Sequence, residues 1–168
     1  TTVLVTEAGS TITLQADTSI VATVNDVRES LCRWCSVKQA MPFYSNNPQT
    51  AFEALRTYWA SRMGEIVVDT TVVITANTTV AASVRFVGGG NFSVDASRTL
   101  TFSSTVRAEP KHFVFTGAGT YAFNAKSVEV LYPYWFGALG NNSADDYDEI
   151  QKTVDAAISS QIHTVRFL

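Results

Sequence analysis

Four groups of residues have the types and spacing that chemistry requires. Cys32 and Cys35 form a Cys-x-x-Cys unit, which offers two thiolates for a redox couple or half of the four ligands of a structural zinc site. His112 and His163 could complete such a site only from far off in sequence, and two cysteines give no disulfide framework. Burial of the thiols is therefore favoured over a redox pair or a metal. Asp145, Asp146, Asp148 and Glu149 crowd together, and paired carboxylates can act as acid and base or hold Ca²⁺. No second carboxylate set, no glycine at the turn position of a calcium loop and no nearby histidine accompanies them, so helix capping is the favoured role. Gly88-Gly89-Gly90 has the glycine density of a phosphate loop, but Asn91-Phe92-Ser93-Val94 follows where a Lys, a Ser/Thr and a helix are needed. It reads as a tight corner between strands, as does Gly117-Ala118-Gly119. Tyr132, Tyr134 and Trp135 could stack sugars, yet they directly precede a helix that needs a floor, and packing is the stronger assignment.

The elements that must position these residues differ along the chain. From Val3 to Val24 short alternating bursts read as strands. Asp26 and Glu29 have the spacing of a capping box for a helix from Val27 to Ala40, which would place Val27, Leu31, Trp34 and Cys35 on one face and close at Pro42. A second helix is signalled by Asn47 as cap, Pro48 at the first position, Phe52, Leu55 and Trp59 at helical spacing to Met63, and Gly64 as stop. Trp34 and Trp59 are expected to be core anchors.

From Glu65 to Val130 the rhythm becomes small apolar clusters separated by Thr, Asn, Gly, Ser and Asp, such as Val72-Val73-Ile74, Phe92 with Val94, Leu100 with Phe102 and Tyr121 with Phe123. Strands this short and this frequent suit a β-solenoid or a small sandwich. After Leu131, Asp146 and Glu149 form a second capping box, Asp145 and Asp148 add charge at the positive end of the helix dipole, and Tyr147, Ile150, Val154, Ala157 and Ile158 are expected on one side. His163 to Leu168 then alternates as a strand would.

The totals exclude several classes. The 168 residues are 46% hydrophobic and 16% charged, which argues for ordered, well-buried structure over a disordered linker. The net charge of −3, with no basic cluster, gives no source of phosphate neutralisation, so nucleic acid is not expected as a partner. No apolar run reaches the roughly 20 residues that cross a bilayer, and membrane insertion is not expected. The first residues lack a basic, then apolar, leader pattern, and Thr1 stands where an initiating Met would, so the start is read as missing or processed.

Tyr132-Pro133-Tyr134-Trp135-Phe136-Gly137-Ala138-Leu139-Gly140, followed by Asp145-Asp146 and by Ile150-Gln151-Lys152-Thr153-Val154-Asp155-Ala156-Ala157, resembles the motif that opens the pectate-lyase-like right-handed parallel β-helix superfamily, common in bacteriophage tailspikes and tail fibres. The residues that carry the structural motif are Tyr132, Pro133, Trp135, Phe136, Gly137, Gly140, Asp145, Asp146 and Glu149. Asn141 and Asn142 stand where that family usually has Asp-Gly, and Leu139 replaces a usual Lys.

The chain is thus expected to be mainly β with a few short helices: N-terminal strands plus two helices over 1–64, read as a possible attachment region, a β-rich lead-in of solenoid-like short strands over 65–130, and over 131–168, as the resemblance implies, the entry motif, capping helix and first strand of a right-handed parallel β-helix. The resemblance implies a structural N-terminal portion of a tail fibre or tailspike subunit in the virion, homotrimeric, attached to other tail proteins, with a bacterial surface glycan met downstream. The alternative is the head of a secreted β-helix polysaccharide lyase or hydrolase. Under either, no catalytic residue, cofactor or metal ligand is assigned within these residues, because the family's catalytic carboxylates lie on later coils.

Overall fold

Runs in which every second residue is apolar fold as that alternation dictates. In the computed structural model, which describes residues 36–168 except Met63, Ala125 and Lys126, they form β1 (Glu65–Val68), β2 (Thr71–Ile74), β3 (Thr78–Val80), β4 (Ser83–Phe86), β5 (Asn91–Val94), β6 (Thr99–Phe102), β7 (Val106–Arg107), β8 (Phe115–Gly117) and β9 (Thr120–Phe123). Successive residues point to opposite faces of a strand, so β2, β4, β5, β6 and β9 bury alternate residues. The strands expected over Val3 to Val24, the helix start at Asp26 and Glu29, and Cys32, Trp34 and Cys35 lie outside the described residues.

Every third strand pairs. The sheets are β1-β4-β7, β2-β5-β8 and β3-β6-β9, all parallel. The chain thus visits three open sheets in turn and returns to the first roughly twenty residues on. Hairpin-linked strands of a sandwich would pair antiparallel, so among the two β architectures the sequence allows, the stacked one fits. Register places like beside like: Val72, Phe92 and Phe115 form one inward column, and Val80, Phe102 and Phe123 another. Phe92, Phe102 and Phe115 are almost wholly buried, with ring centroids 5.9 Å apart for Phe92–Phe102 and for Phe102–Phe115. Such aromatic pairs each add roughly 0.5–1.5 kcal/mol beyond burial.

The corners between strands need glycine for two different reasons. Gly90 packs so tightly that a Cβ there would lie 2.1 Å from the carbonyl oxygen of Val68. Gly117 adopts φ +87°, and a Cβ would lie 2.3 Å from the carbonyl oxygen of Val94. Both runs of glycine are therefore corners of the stack, as their sequence context indicates, and neither opens a helix.

Among the described residues three α-helices flank the strands: α1 (Val37–Ala40), α2 (Pro48–Trp59) and α3 (Tyr147–Ser159). A helix continuous from Val27 to Ala40 is ruled out at Ser36. Its backbone is extended at φ −78°, ψ 155°, and it caps α1 through a box in which Ser36 Oγ accepts from Gln39 N while Gln39 Oε1 accepts from Ser36 N. Pro42 does not close that helix but begins a 3₁₀ turn over Met41–Tyr44. α2 starts as expected, with Asn47 Oδ1 accepting from Thr50 N at 3.0 Å and Pro48 in its first turn. It ends at Trp59, short of Met63, and Gly64 lies against the Trp59 indole, where a Cβ would be 2.1 Å from the ring. Trp59 is 6% exposed, a core anchor, and Phe52 reaches Phe92 at 4.9 Å between centroids. α2 thereby covers the β1–β2 end of the stack.

Candidate functional site

The stretch from Leu131 to Ser160 packs against the last strands, β7 to β9. Residues 127–131 run beside β7, where Val106 N donates to Ser127 O at 2.8 Å. Pro133–Phe136 then forms a 3₁₀ turn beside β8, with Val114 N donating to Trp135 O at 3.1 Å. α3 lies by β9, tied where Phe123 N donates to Ser160 Oγ at 2.9 Å. Each piece takes the place that a fourth strand would hold in one of the three sheets. The order of visits is kept although the elements change from strand to turn to helix.

Of the motif residues, Pro133, Trp135 and Phe136 are buried, and Trp135 is 3% exposed. The Phe136 ring sits 5.1 Å from Phe115, Trp135 sits 6.1 Å from Phe115, and the half-buried Tyr132 sits 5.2 Å from Trp135. Trp135 Nε1 donates to Glu109 O at 2.9 Å, so its one polar atom is satisfied. Trp135 therefore serves the floor and presents no open face for a sugar. Gly137 ends the turn at φ +110°, a left-handed conformation that glycine adopts at no steric cost.

The acids do not form the capping box that their spacing indicates. Asp146 occupies the N-cap position but makes no side-chain bond to the first turn. Its carboxylate turns back to the loop, accepting from Leu139 N at 2.8 Å and Gly140 N at 2.7 Å. Asp145 Oδ1 takes the helix N-terminus instead, accepting from Tyr147 N at 3.0 Å. Asn141 Oδ1 accepts from Ser143 N and Ala144 N, which satisfies the turn where Asp-Gly would otherwise stand. Turned to the loop, Asp146 makes two charge-assisted bonds to backbone amides, where the cap position would give it one. Among the described residues no three His, Cys, Asp or Glu side chains are grouped to hold a metal ion.

The face of α3 also differs from the one its pattern marks out. Thr153, Ala156, Ala157 and the following Ser160 are buried, while Tyr147 is 66% and Ile158 72% exposed. Small side chains let the helix backbone approach β9 closely, and Thr153 Oγ1 turns its proton to Glu149 O at 2.7 Å. Large residues on the inner face would overfill that gap. The expected strand at 163–168 is a single parallel bridge, Leu131 to Val165, with Leu131 N donating to Thr164 O and Arg166 N to Leu131 O. Pairing stops there because the next turn begins at Pro133, which has no N–H to offer.

Between α3 and the β8–β9 corner lies a groove of about 350 Å³. Phe115, Tyr121 and Phe136 line its floor, Thr116 and Thr120 one wall, and Glu149, Lys152 and Asp155 the helix wall. Tyr121 donates to a carbonyl oxygen of the floor, with Phe92 O at 2.9 Å and Thr116 O also in reach, and burial pushes its phenol well above the usual range. Asp155 accepts from Gln151 at 2.8 Å. The groove contains no nucleophile paired with a base. Phe113, 45% exposed at its mouth, and Lys152, which the motif contains only as a helix residue, are brought together across the stack by register and not by local spacing.

Among the described residues no helix is long and apolar enough to cross a membrane. No family model, no curated protein and no solved structure matches the chain. What stands is a β-rich fold of three parallel sheets with few helices.

Proposed function

We propose that the chain is the structural N-terminal portion of a phage tail fibre or tailspike subunit, one that mounts a right-handed parallel β-helix with host-receptor binding on the virion. The observation that carries this reading is the return of the chain, after α3, to parallel pairing with Leu131, in the segment that runs on from beside β7. Residues 164–166 pair in parallel with Leu131, so a coil begins on the far side of the turn-and-helix cap. A module whose glycine runs form corners and whose Asp146 and buried aromatics hold the loop and floor beside α3 acts as a mount. The motif from Tyr132 to Gly140 adds the resemblance noted above. In this reading the subunits are homotrimeric, neighbouring tail proteins hold the N-terminal region, and glycan recognition, with any depolymerase activity, belongs to later coils. The test is mass spectrometry of purified virions of the source phage. Peptides of this chain at tail-protein stoichiometry are expected, and their recovery only in the secreted fraction, with virions lacking them, would overturn the assignment.

A further inference from the structure

The groove between α3 and the β8–β9 corner holds polar groups that the fold leaves unused. Thr120 N donates to Arg98 O and Asn124 N to Phe102 O, each at 2.8 Å, so alternate residues along β9 spend their backbone on β6. Phe123 faces the other way, and its N–H goes to Ser160 Oγ at 2.9 Å. Tyr121 shares that orientation, because successive residues turn their backbone groups to opposite edges of a strand. Its N–H and C=O thus leave the sheet on the α3 side, and among the described residues neither has a partner. Tyr121 is only 6% exposed and lines the groove floor. More than about nine in ten buried backbone groups are paired, so these two call for water or a ligand in the groove. The helix wall adds a second set. Glu149, Lys152 and Asp155 follow one another at spacings of three, acid, base, acid, and residues so spaced are near enough to pair along a helix. Asp155 takes Gln151 instead, at 2.8 Å, and among the described residues neither the Glu149 carboxylate nor the Lys152 ammonium has a partner.

We propose that this groove binds a free α-amino acid with a large apolar side chain. The ligand's carboxylate takes the Lys152 ammonium and the Tyr121 N–H, its ammonium takes the Glu149 carboxylate and the Tyr121 carbonyl, and its side chain lies on the floor of Phe115, Tyr121 and Phe136. One N–H beside one C=O, an anion beside a cation, and an apolar floor match a molecule that carries all three complements on one carbon. A simple cation is opposed by Lys152 and a simple anion by Glu149 and Asp155, whereas a purely apolar molecule leaves the Tyr121 edge unpaired. The volume of about 350 Å³ lies at the lower end of small-ligand clefts, roughly 300–1,000 Å³, which suits a molecule of one residue. The site binds without chemistry, and nothing in it depends on the tail-fibre reading.

Titration of the ¹⁵N-labelled 168-residue chain with L-phenylalanine, followed by NMR, tests this. The Tyr121 amide is expected to shift saturably, with a dissociation constant of about 1 mM or tighter. Lys152→Met and Glu149→Gln, both changes at the helix surface, are each expected to weaken binding about threefold or more while the rest of the amide spectrum stays in place. N-acetyl-L-phenylalanine amide keeps the ring and loses both charges, and it is expected to bind about threefold or more weakly than the free amino acid. A Tyr121 amide that does not move at about ten times that concentration, equal binding of the uncharged analogue, or binding that neither substitution weakens would each overturn the proposal.

Discussion

Trp135 Nε1 donates to the carbonyl oxygen of Glu109 at 2.9 Å, joining the turn that follows the last strands to the loop that precedes β8. The indole is both buried and satisfied, so its loss removes packing and leaves a carbonyl unpaired. Trp135→Ala is expected to cost about 3–5 kcal/mol in urea unfolding, and Trp135→Phe to recover most of the packing but not the roughly 1 kcal/mol of the hydrogen bond. A well-folded Trp135→Ala protein that loses only glycan affinity would return the residue to the role of sugar platform.

Asp146 and Glu149 separate two accounts of the acidic cluster. The carboxylate of Asp146 holds two loop amides, while Glu149 makes no capping bond. Asp146→Ala is expected to lower stability by about 1–3 kcal/mol, and Glu149→Gln by no more than about 0.5 kcal/mol. Chemical denaturation of the pair reads the difference, and a reciprocal capping box would make the two losses similar.

Two glycines of one run are expected to respond in opposite ways. Gly90→Ala drives a methyl into the Val68 carbonyl, whereas Gly89, at φ +82°, has open space around it. Gly89→Asn is expected to cost about 1 kcal/mol or less, since Asn tolerates left-handed backbone. Gly90→Ala is expected to cost about 3 kcal/mol or more, because the clash is with backbone that cannot swing aside. Thermal midpoints of the two variants check the contrast.

Burial raises the Tyr121 phenol above its ordinary value near 10. The folded protein thus keeps its proton in a pH range where the unfolded chain releases it. With fewer protons bound in the unfolded state, stability falls as pH rises above about 10, approaching roughly 1.4 kcal/mol per pH unit. Tyr121→Phe is expected to be less stable at neutral pH, having lost its bond to a floor carbonyl, and to lack that alkaline slope. Unfolding free energies at pH 8 to 11 for both proteins give the answer.

The sequence made the strands legible because alternation is local: Phe92 with Val94 and Leu100 with Phe102 each announce a face within four residues. It left their pairing open, since the parallel stacking of Val72, Phe92 and Phe115 is set by coil length, which no short window contains. Asn47 and Pro48 marked α2 correctly because a cap is a contact within one turn. The acids at 145–149 misled for the converse reason. Their spacing suits a capping box, but Leu139 N and Gly140 N, brought back by the Gly137 turn, claim Asp146 first. α3 misled in the same manner, because ranking faces by side-chain size favours Ile150 and Ile158, whereas close approach to β9 selects Ala156 and Ala157.

The mass of the subunit in solution, measured by light scattering on a polypeptide that continues past Leu168, tests the proposed role most directly. A trimer is the expected result, since a tail-fibre mount works as a threefold assembly. A stable, folded monomer at micromolar concentration would contradict it.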